Sequence, residues 1–258
     1  MKACMKDDMF DWIRAGREQH SELNYRDARW PGVKVTHLMP DSFDAYVKIL
    51  HRIEGNYVNI DTPLSPEELN ILEIPDCLSL RKVVLSNRFN EDAPRLRWKL
   101  FADALGLPFE AGITDAWFRT RLDAGCWPRF VNGPDESYLE PAEYSVLASI
   151  LASESISDSC FYRLAEIPFV ATDQSLLFEG TLQEVTSIPI PSTWNSPEYW
   201  WSADREWCVC SDYDLSFTVV GGTNRLISKI LANSMIETVE VFPSTRVDDF
   251  SPIPSPGS

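Results

Sequence analysis

The stretch YWWSADREWCVCSDYDLSFTVVGG, residues 199–222, decides the fold that we predict for this chain. Residues 207–210 and 216–220 are short runs of apolar, aromatic and β-branched residues, which are typical of strands. The acidic and small residues between the runs predict a turn, so the whole stretch is expected to form a hairpin. It also contains the best group of candidate ligand-contacting carboxylates, which are Asp204, Glu206, Asp212 and Asp214.

The same kind of pattern extends on both sides of the hairpin. Aromatic and β-branched runs recur from residue 160 to residue 242, and an alternating run at 33–40 predicts one early strand. Helical spacing of apolar residues and capping signals dominate the first 155 residues. Ser65 and Glu68 predict a capping box, Thr114 predicts a cap, and Pro141 predicts a first helical turn. Thr223, after Gly221-Gly222, is predicted to cap a later helix. The chain is therefore predicted to be an α+β protein with a mostly antiparallel sheet in residues 160–242. Helices are expected in residues 7–25, 41–51, 65–74, 94–105, 114–123, 141–151 and 223–232.

One continuous domain is expected over residues 1–242, because no flexible linker separates the helical part from the β part. The proline- and serine-rich end at 243–258 is expected to be a disordered tail. No window approaches the roughly 20 apolar residues of a membrane span, so a soluble protein without membrane contact is predicted.

Cysteine usage favours a reducing compartment. The six cysteines are scattered along the 258 residues, and the N-terminus has no apolar run typical of a signal peptide. A cytoplasmic location with free thiols is the resulting prediction. The oligomeric state stays open at this point.

The net charge of −16 is the strongest global indication of what this protein binds. Residues 132–258 carry 19 acidic and 5 basic groups, so the C-terminal half is the acidic half. This charge opposes attraction to nucleic acid phosphates, and direct nucleic acid binding is not expected. A basic protein partner is expected, although acidity that serves only solubility is the alternative.

The four carboxylates of the hairpin admit two interpretations. As one cluster, they would bind a divalent cation or supply a general acid and base. Alternation on an extended strand would also align Asp212 and Asp214 with the thiols of Cys208 and Cys210, but same-face groups about 7 Å apart do not share one ion easily. We therefore predict no metal, no cofactor and no catalytic residue. The second interpretation is a pair of buried cysteines followed by a solvated acidic turn.

Four aromatic residues are candidate binding residues. Trp194, Tyr199, Trp200 and Trp201 lie in a proline-rich loop and its exit. Exposed rings there would indicate sugar stacking or a protein-binding hot spot. In the alternative, the rings fold back and cover the sheet.

Four segments carry a resemblance to other proteins. They are PDSFDAYVKILH (40–51), CWPRFVNGPDESYLEP (126–141), LFEGTLQEV (177–185) and SPEYWWSADREWCVCSDYDLSFTVVGG (196–222). Taken in this order, they resemble a group of standalone soluble bacterial proteins without a known activity. The resemblance covers most of residues 33–242 and implies no role for any residue.

The leading functional hypothesis is a non-enzymatic cytosolic protein-binding module. It would act as an immunity-type protein or inhibitor, whose acidic C-terminal half engages a basic partner such as a nuclease toxin. The competing hypothesis is an enzyme or small-ligand-binding protein with an acidic and aromatic site around Trp200, Asp212 and Asp214.

Overall fold

The structure is a computed structural model, and it describes residues 2–3, 7–17, 32–55, 64–73, 95–122, 125–136, 139–164, 177–187, 197–212 and 214–248. These residues form two compact units. The larger unit is drawn from Met1–His51 and Glu136–Asp248, and the smaller unit is centred on Arg52–Asp135. The single continuous domain expected over residues 1–242 stays a prediction.

The elements confirm the predicted α+β class. The strands are β1 (Lys2–Ala3), β2 (Ala45–Leu50), β3 (Ile53–Gly55), β4 (Arg95–Leu96), β5 (Val131–Asn132), β6 (Ser159–Arg163), β7 (Leu177–Thr181), β8 (Tyr199–Ser202), β9 (Cys208–Cys210), β10 (Phe217–Gly222) and β11 (Thr238–Val241). The α-helices are α1 (Asp11–Gly16), α2 (Val35–Leu38), α3 (Pro66–Leu72), α4 (Trp98–Ala104), α5 (Asp115–Arg119), α6 (Pro141–Glu154) and α7 (Asn224–Leu231). Two 3-10 helices, Asp7–Phe10 and Leu182–Ser187, complete the described elements.

The larger unit is built on one eight-stranded sheet with the order β1-β7-β6-β8-β9-β10-β2-β11. Every pairing in it is antiparallel. Consecutive strands β8, β9 and β10 form the centre through two short turns. The hairpin of β9 and β10 was predicted, whereas β8 extends it by a strand where a loop exit was expected. Strand β2 comes from the first fifth of the chain and inserts between β10 and β11.

Helices α6 and α7 cover one face of this sheet. Their apolar residues pack with one side of β2, β8, β9 and β10 in a single core cluster. Burial of side chains of this size contributes about 1.5–3 kcal/mol each, so this layer is a main source of stability. The helix residues are Tyr144, Leu147, Leu151, Leu226, Ile227 and Ile230, and the strand residues include Val47, Ile49, Trp200, Val209 and Val220.

The N-terminal segment covers the opposite face. The Phe10 ring lies 5.0 Å from Tyr199 and 5.8 Å from Trp201. Ile13 of α1 is fully buried, and the Met39 side chain reaches the backbone of Gly221. The predicted leading helix is thus confirmed over the described part of residues 7–25.

Two predictions near the N-terminus are wrong: the predicted strand is a helix, and the predicted helix is a strand. Residues 33–40 contain the short helix α2 instead of a strand, because the amides of Val35 and Thr36 donate to carbonyls of Thr245 and Pro243. Residues 45–50 form strand β2 instead of a helix. Tyr46 and Val47 fit a helical face and a two-sided strand equally well, and only pairing with β10 and β11 decides between them.

The predicted disordered tail is wrong for residues 243–248. Val247 donates its amide to the Val33 carbonyl at 2.8 Å, and its side chain is fully buried. Arg246 pairs with Lys34 in an isolated β-bridge. The apolar Val247 therefore anchors this part of the tail, and residues 249–258 lie outside the described residues.

The smaller unit has its own core. Strand β3 pairs with β4 and with β5 in a three-stranded sheet, and β4 occupies the start of the helix predicted at 94–105. Four aromatic rings, on α4, on α5 and after α5, stack or meet edge to face at centroid distances of 5.0–6.2 Å. They belong to Trp98, Phe101, Phe118 and Trp127.

Helix starts agree with their capping signals. Ser65 accepts from the Glu68 amide at 3.1 Å and Glu68 accepts from the Ser65 amide at 2.8 Å, which is the predicted capping box of α3. Thr114 and Thr223 cap α5 and α7 with one bond each, in which the hydroxyl accepts from the amide three residues later. Pro141 occupies the first turn of α6, as predicted.

None of the helices in the described residues has both the length and the apolar character that a membrane crossing needs.

The close approach at Gly221 gives a stability prediction. A Cβ atom at Gly221 would lie 2.5 Å from Phe43 Cδ2 and 2.9 Å from Met39 Sδ, which is too close for either side chain to stay in place. Gly221→Ala is expected to lower the free energy of unfolding by about 1–3 kcal/mol through overpacking. Urea denaturation measures the change. Gly112→Ala is the matched control, because nothing lies within 4 Å of its added Cβ, and an equal loss in both variants would contradict the packing argument.

Candidate functional site

The aromatic candidates lie inside the protein. Tyr199, Trp200 and Trp201 form most of β8 and are at most 1% exposed. The Trp200 ring lies on the helix-covered face, 5.7 Å from Trp207, whereas Trp201 stacks on Phe161 on the other face at 5.7 Å. The interpretation with exposed rings is wrong for these three residues, because β8 is a central strand that is covered on both faces. Trp194 lies outside the described residues.

The two candidate thiols are also closed to solvent. Cys208 and Cys210 point to the face that the N-terminal segment covers, and both are at most 1% exposed. Burial raises the pKa of each thiol above its ordinary value, which disfavours the thiolate that metal binding requires. Among the described residues, no group of three or more His, Cys, Asp or Glu side chains has a metal-binding arrangement.

The four hairpin carboxylates do not form one cluster. Asp204 and Glu206 lie in the turn between β8 and β9, and Asp212 and Asp214 lie in the turn between β9 and β10. Successive turns of an antiparallel sheet fall at opposite ends of the strands. The two pairs are therefore about 20 Å apart along the strand direction.

The first of these turns is held by a buried hydroxyl. Ser202 Oγ accepts from the Glu206 amide at 2.8 Å and from the Trp207 amide at 3.3 Å. Asp204 Oδ1 also accepts from the Glu206 amide, at 3.3 Å. Arg205 between them has a φ of 62°, a left-handed conformation that is uncommon for a residue with a side chain. The turn therefore presents both carboxylates in a defined geometry.

Two carboxylates that sequence analysis did not select lie at the same end of the sheet. The Ala203 amide donates to the Ser159 carbonyl at 3.0 Å, which brings Asp158 beside the turn that holds Asp204. Ala45 pairs with Gly222, so Asp44 precedes β2 at this end. Only strand pairing brings these positions together, and the sequence contains no local signal for it.

We name Asp44, Asp158, Asp204 and Glu206 the acidic rim. Its residues lie along the ends of β6, β8, β9 and β2, which spans about 19 Å at the usual strand spacing. Asp44, Asp158 and Asp204 are exposed and Glu206 is partly exposed. In the part of the chain that the structure describes, no rim carboxylate forms a salt bridge.

The basic side chains of residues 132–258 make contacts outside the rim. Four of the five basic residues in 132–258 bind carboxylates outside the rim, and Glu154 alone takes two of them. The fifth, Arg205, places its guanidinium 5.3 Å from the centre of the Trp12 ring. Among the described residues, the rim carboxylates therefore keep their negative charge without an ion-paired cation. The ion pairs are Arg163 with Glu198, Arg225 and Lys229 with Glu154, and Arg246 with Asp248.

At the opposite end, a hydrogen-bonded chain crosses the sheet interior. Ser211 Oγ lies 2.7 Å from Thr218 Oγ1, which lies 3.0 Å from His51 Nε2. The three side chains are at most 2% exposed, so a hydroxyl in this chain cannot meet a substrate from solvent. These hydrogen-bonded side chains join the residue after β2 to β10 and to the residue after β9, and their role is structural.

Comparison with protein-family models, with curated proteins and with solved structures finds no match to this chain. The resemblance to a bacterial group of proteins stays a prediction.

Asp212 gives a prediction about pH. Burial raises the pKa of its carboxyl above the ordinary value, with a further contribution from Asp214, although the Asp214 amide donates to it at 3.0 Å. A raised pKa in the folded state means that Asp212 stabilises the protein at low pH and that this contribution is lost as pH rises through its folded pKa. Asp212→Asn is therefore expected to raise the free energy of unfolding at pH 7 relative to wild type.

The gain should disappear below about pH 4, where the wild-type carboxyl is protonated in both states. Urea denaturation across this pH range tests the expectation, with Asp204→Asn in the exposed rim as the control. A gain from Asp212→Asn that does not depend on pH would show that ionisation is not its cause.

Proposed function

We propose that this protein is a non-enzymatic binding module that inhibits a basic protein partner, of the nuclease class, through its acidic rim. The observation that carries the proposal is the row of four carboxylates without a cationic partner in the described residues. It acts in the cytoplasm, in keeping with the free thiols of Cys126, Cys160, Cys208 and Cys210.

The chemistry of the partner follows from the rim. A groove that binds nucleic acid presents lysine and arginine to phosphates. A linear array of carboxylates carries negative charge, as the phosphates of a nucleic acid do, so it fits the same basic groove. Its electric field also accelerates encounter with a basic surface. The rim therefore competes with the nucleic acid for the groove and blocks the enzyme without any reaction.

The rigidity of the rim supports tight binding. Ser202 and the β-ladder fix the backbone on both sides of Asp204 and Glu206 before any partner arrives. A surface that is ordered in the free protein does not lose the conformational entropy that a flexible loop loses on binding. More of the interaction energy then appears as affinity.

The geometry gives no support to a joint site at Trp200, Asp212 and Asp214. Trp200 lies fully buried on the helix-covered face. Asp212 is close to Cys210, whose side chain lies on the other face, and Asp214 is exposed. The three side chains do not line a common pocket, so we propose no enzymatic function.

Neutralising three of the four rim carboxylates should weaken partner binding. The test variant carries Asp158→Asn, Asp204→Asn and Glu206→Gln, which remove three charges and keep the shape of the side chains. A tagged full-length protein captures its partner from the host lysate, and the purified partner is then assayed for nucleic acid cleavage. The wild type is expected to inhibit cleavage, and the rim variant is expected to lose at least tenfold in affinity.

A matched variant separates the rim from bulk charge. Glu110→Gln, Asp214→Asn and Glu240→Gln remove the same number of charges from exposed sites outside the rim. This variant should inhibit like the wild type. Equal losses in both variants would mean that total charge, and not the rim, drives binding. A captured partner that both variants retain would overturn the proposal.

A substitution of Arg205 would increase the negative charge of the rim instead of reducing it. Arg205→Asn removes the only cation within the β8–β9 turn and places there a residue that tolerates the left-handed conformation. It is expected to strengthen inhibition and to increase its sensitivity to salt. Inhibition assays at low and high ionic strength measure both effects. Weaker inhibition by this variant would indicate that Arg205 itself contacts the partner.

A further inference from the structure

Strand β11 is the last strand of the large sheet, and one of its sides has no neighbour among the described strands. The Leu50 amide donates to the Glu237 carbonyl at 2.9 Å, which fixes the hydrogen-bonding phase of the β2–β11 ladder. In an antiparallel ladder, hydrogen-bonded pairs alternate with non-hydrogen-bonded pairs. Val239 and Val241 therefore bond to β2, and the amides and carbonyls of Thr238 and Glu240 point away from the sheet.

This edge has little of the protection that natural sheets give to a free edge. Such edges carry lysines, prolines or bulges that prevent further pairing. Strand β11 has neither lysine nor proline, and Glu240 is its single charge. Two large exposed apolar side chains flank it instead, Met235 at 57% exposure and Phe242 at 60%.

We propose that this edge binds a second copy of the chain, with the two β11 strands paired antiparallel about a two-fold axis at Val239. The pairing places Thr238 opposite Glu240 of the second copy. All four outward-pointing backbone groups of each copy are then hydrogen-bonded between the copies. The two sheets become one continuous sheet.

The register follows from charge and hydrogen bonding. An axis at Glu240 would place the two carboxylates directly opposite each other, which is destabilising. An axis at Thr238 would leave Glu240 opposite Ile236, in a segment that is a turn and not a strand. The axis at Val239 avoids both problems, and it pairs Thr238 and Glu240 within the strand.

The same register accounts for the exposed apolar residues. Antiparallel pairing brings Phe242, directly after β11 of one copy, to the same end of the paired strands as Met235, before β11 of the other copy. A thioether beside an aromatic ring is a favourable contact. Because the axis relates the two copies, this contact forms twice, once at each end of the paired strands.

An intermolecular disulfide tests this register directly. In the proposed pair, the two Val239 Cα atoms face each other at a non-hydrogen-bonded position, about 4.5 Å apart, which is within the range for a disulfide. Val239→Cys is expected to give a dimer on a non-reducing gel after mild oxidation. Val241→Cys is the matched control, because its two copies would be at least about 13 Å apart. Equal cross-linking of the two variants, or none beyond the wild type, would overturn the proposal.

Sedimentation equilibrium of the uncross-linked chain provides the second test. Thr238→Pro removes only an outward amide, so β11 keeps its bonds to β2 while the contact between copies loses two symmetry-related bonds. Phe242→Asp removes the apolar contact. Each variant is expected to raise the dimer dissociation constant at least tenfold, whereas Ile156→Asp, at an 88% exposed control position, should not.

The possible outcomes are distinct. A wild type that stays monomeric at about 100 µM, well above the micromolar range of specific weak complexes, would overturn the proposal. A wild-type dimer that both edge variants leave intact would place the contact elsewhere and would overturn it as well. A monomer that instead binds a lysine-rich extended peptide, and loses it on Glu240→Lys, would assign the edge to another protein.

Discussion

The burial of both faces of the central strands is the constraint on which the rest of this structure depends. Trp200 and Trp201 are neighbours in β8 and point to opposite faces, so each face of the sheet must be covered. Helices α6 and α7 cover one face, and the N-terminal segment covers the other. Even a lysine of a central strand is closed to solvent. The side chain of Lys48 is fully buried, and this burial lowers its pKa to about 7.

Carboxylates are consequently displaced to the ends of the strands. Strands β2, β8, β9 and β10 contain no Asp or Glu, whereas Asp204, Glu206, Asp212 and Asp214 all lie in turns. Antiparallel pairing sends alternate turns to opposite ends and collects the acidic rim from four strands. Among the described strands, the same pairing leaves β11 at an edge of the sheet, so the proposed inhibitory surface and the proposed self-association edge both result from the order of the strands.

The sequence predicted local features well. The capping residues Ser65, Thr114 and Thr223 and the proline at 141 marked helix starts correctly, because a cap is a contact between residues three or four positions apart. Strand β2 was predicted as a helix, because its apolar residues satisfy both periods and its partners lie far away in the chain. The anchored residue Val247 was missed for the same reason.

The residues of the candidate site also include some that the sequence could predict and some that it could not. Asp204 and Glu206 were selected because they lie close in the sequence to Asp212 and Asp214, although the structure places the two pairs at opposite ends of the strands. Asp44 and Asp158 were not found, since only strand pairing makes them neighbours. Tyr199, Trp200 and Trp201 were selected as binding residues, and an aromatic run reads the same in an exposed loop and in a central strand until its neighbours are known.

Amide hydrogen exchange of the complex will show whether the rim is the surface that meets the partner. Comparison of the free protein with the partner-bound protein locates the amides that binding protects. We expect new protection at residues 203–206 and around residue 158, with little change at residues 211–216. Protection confined to residues 211–216, or to the outer surface of α6, would show that the partner binds elsewhere.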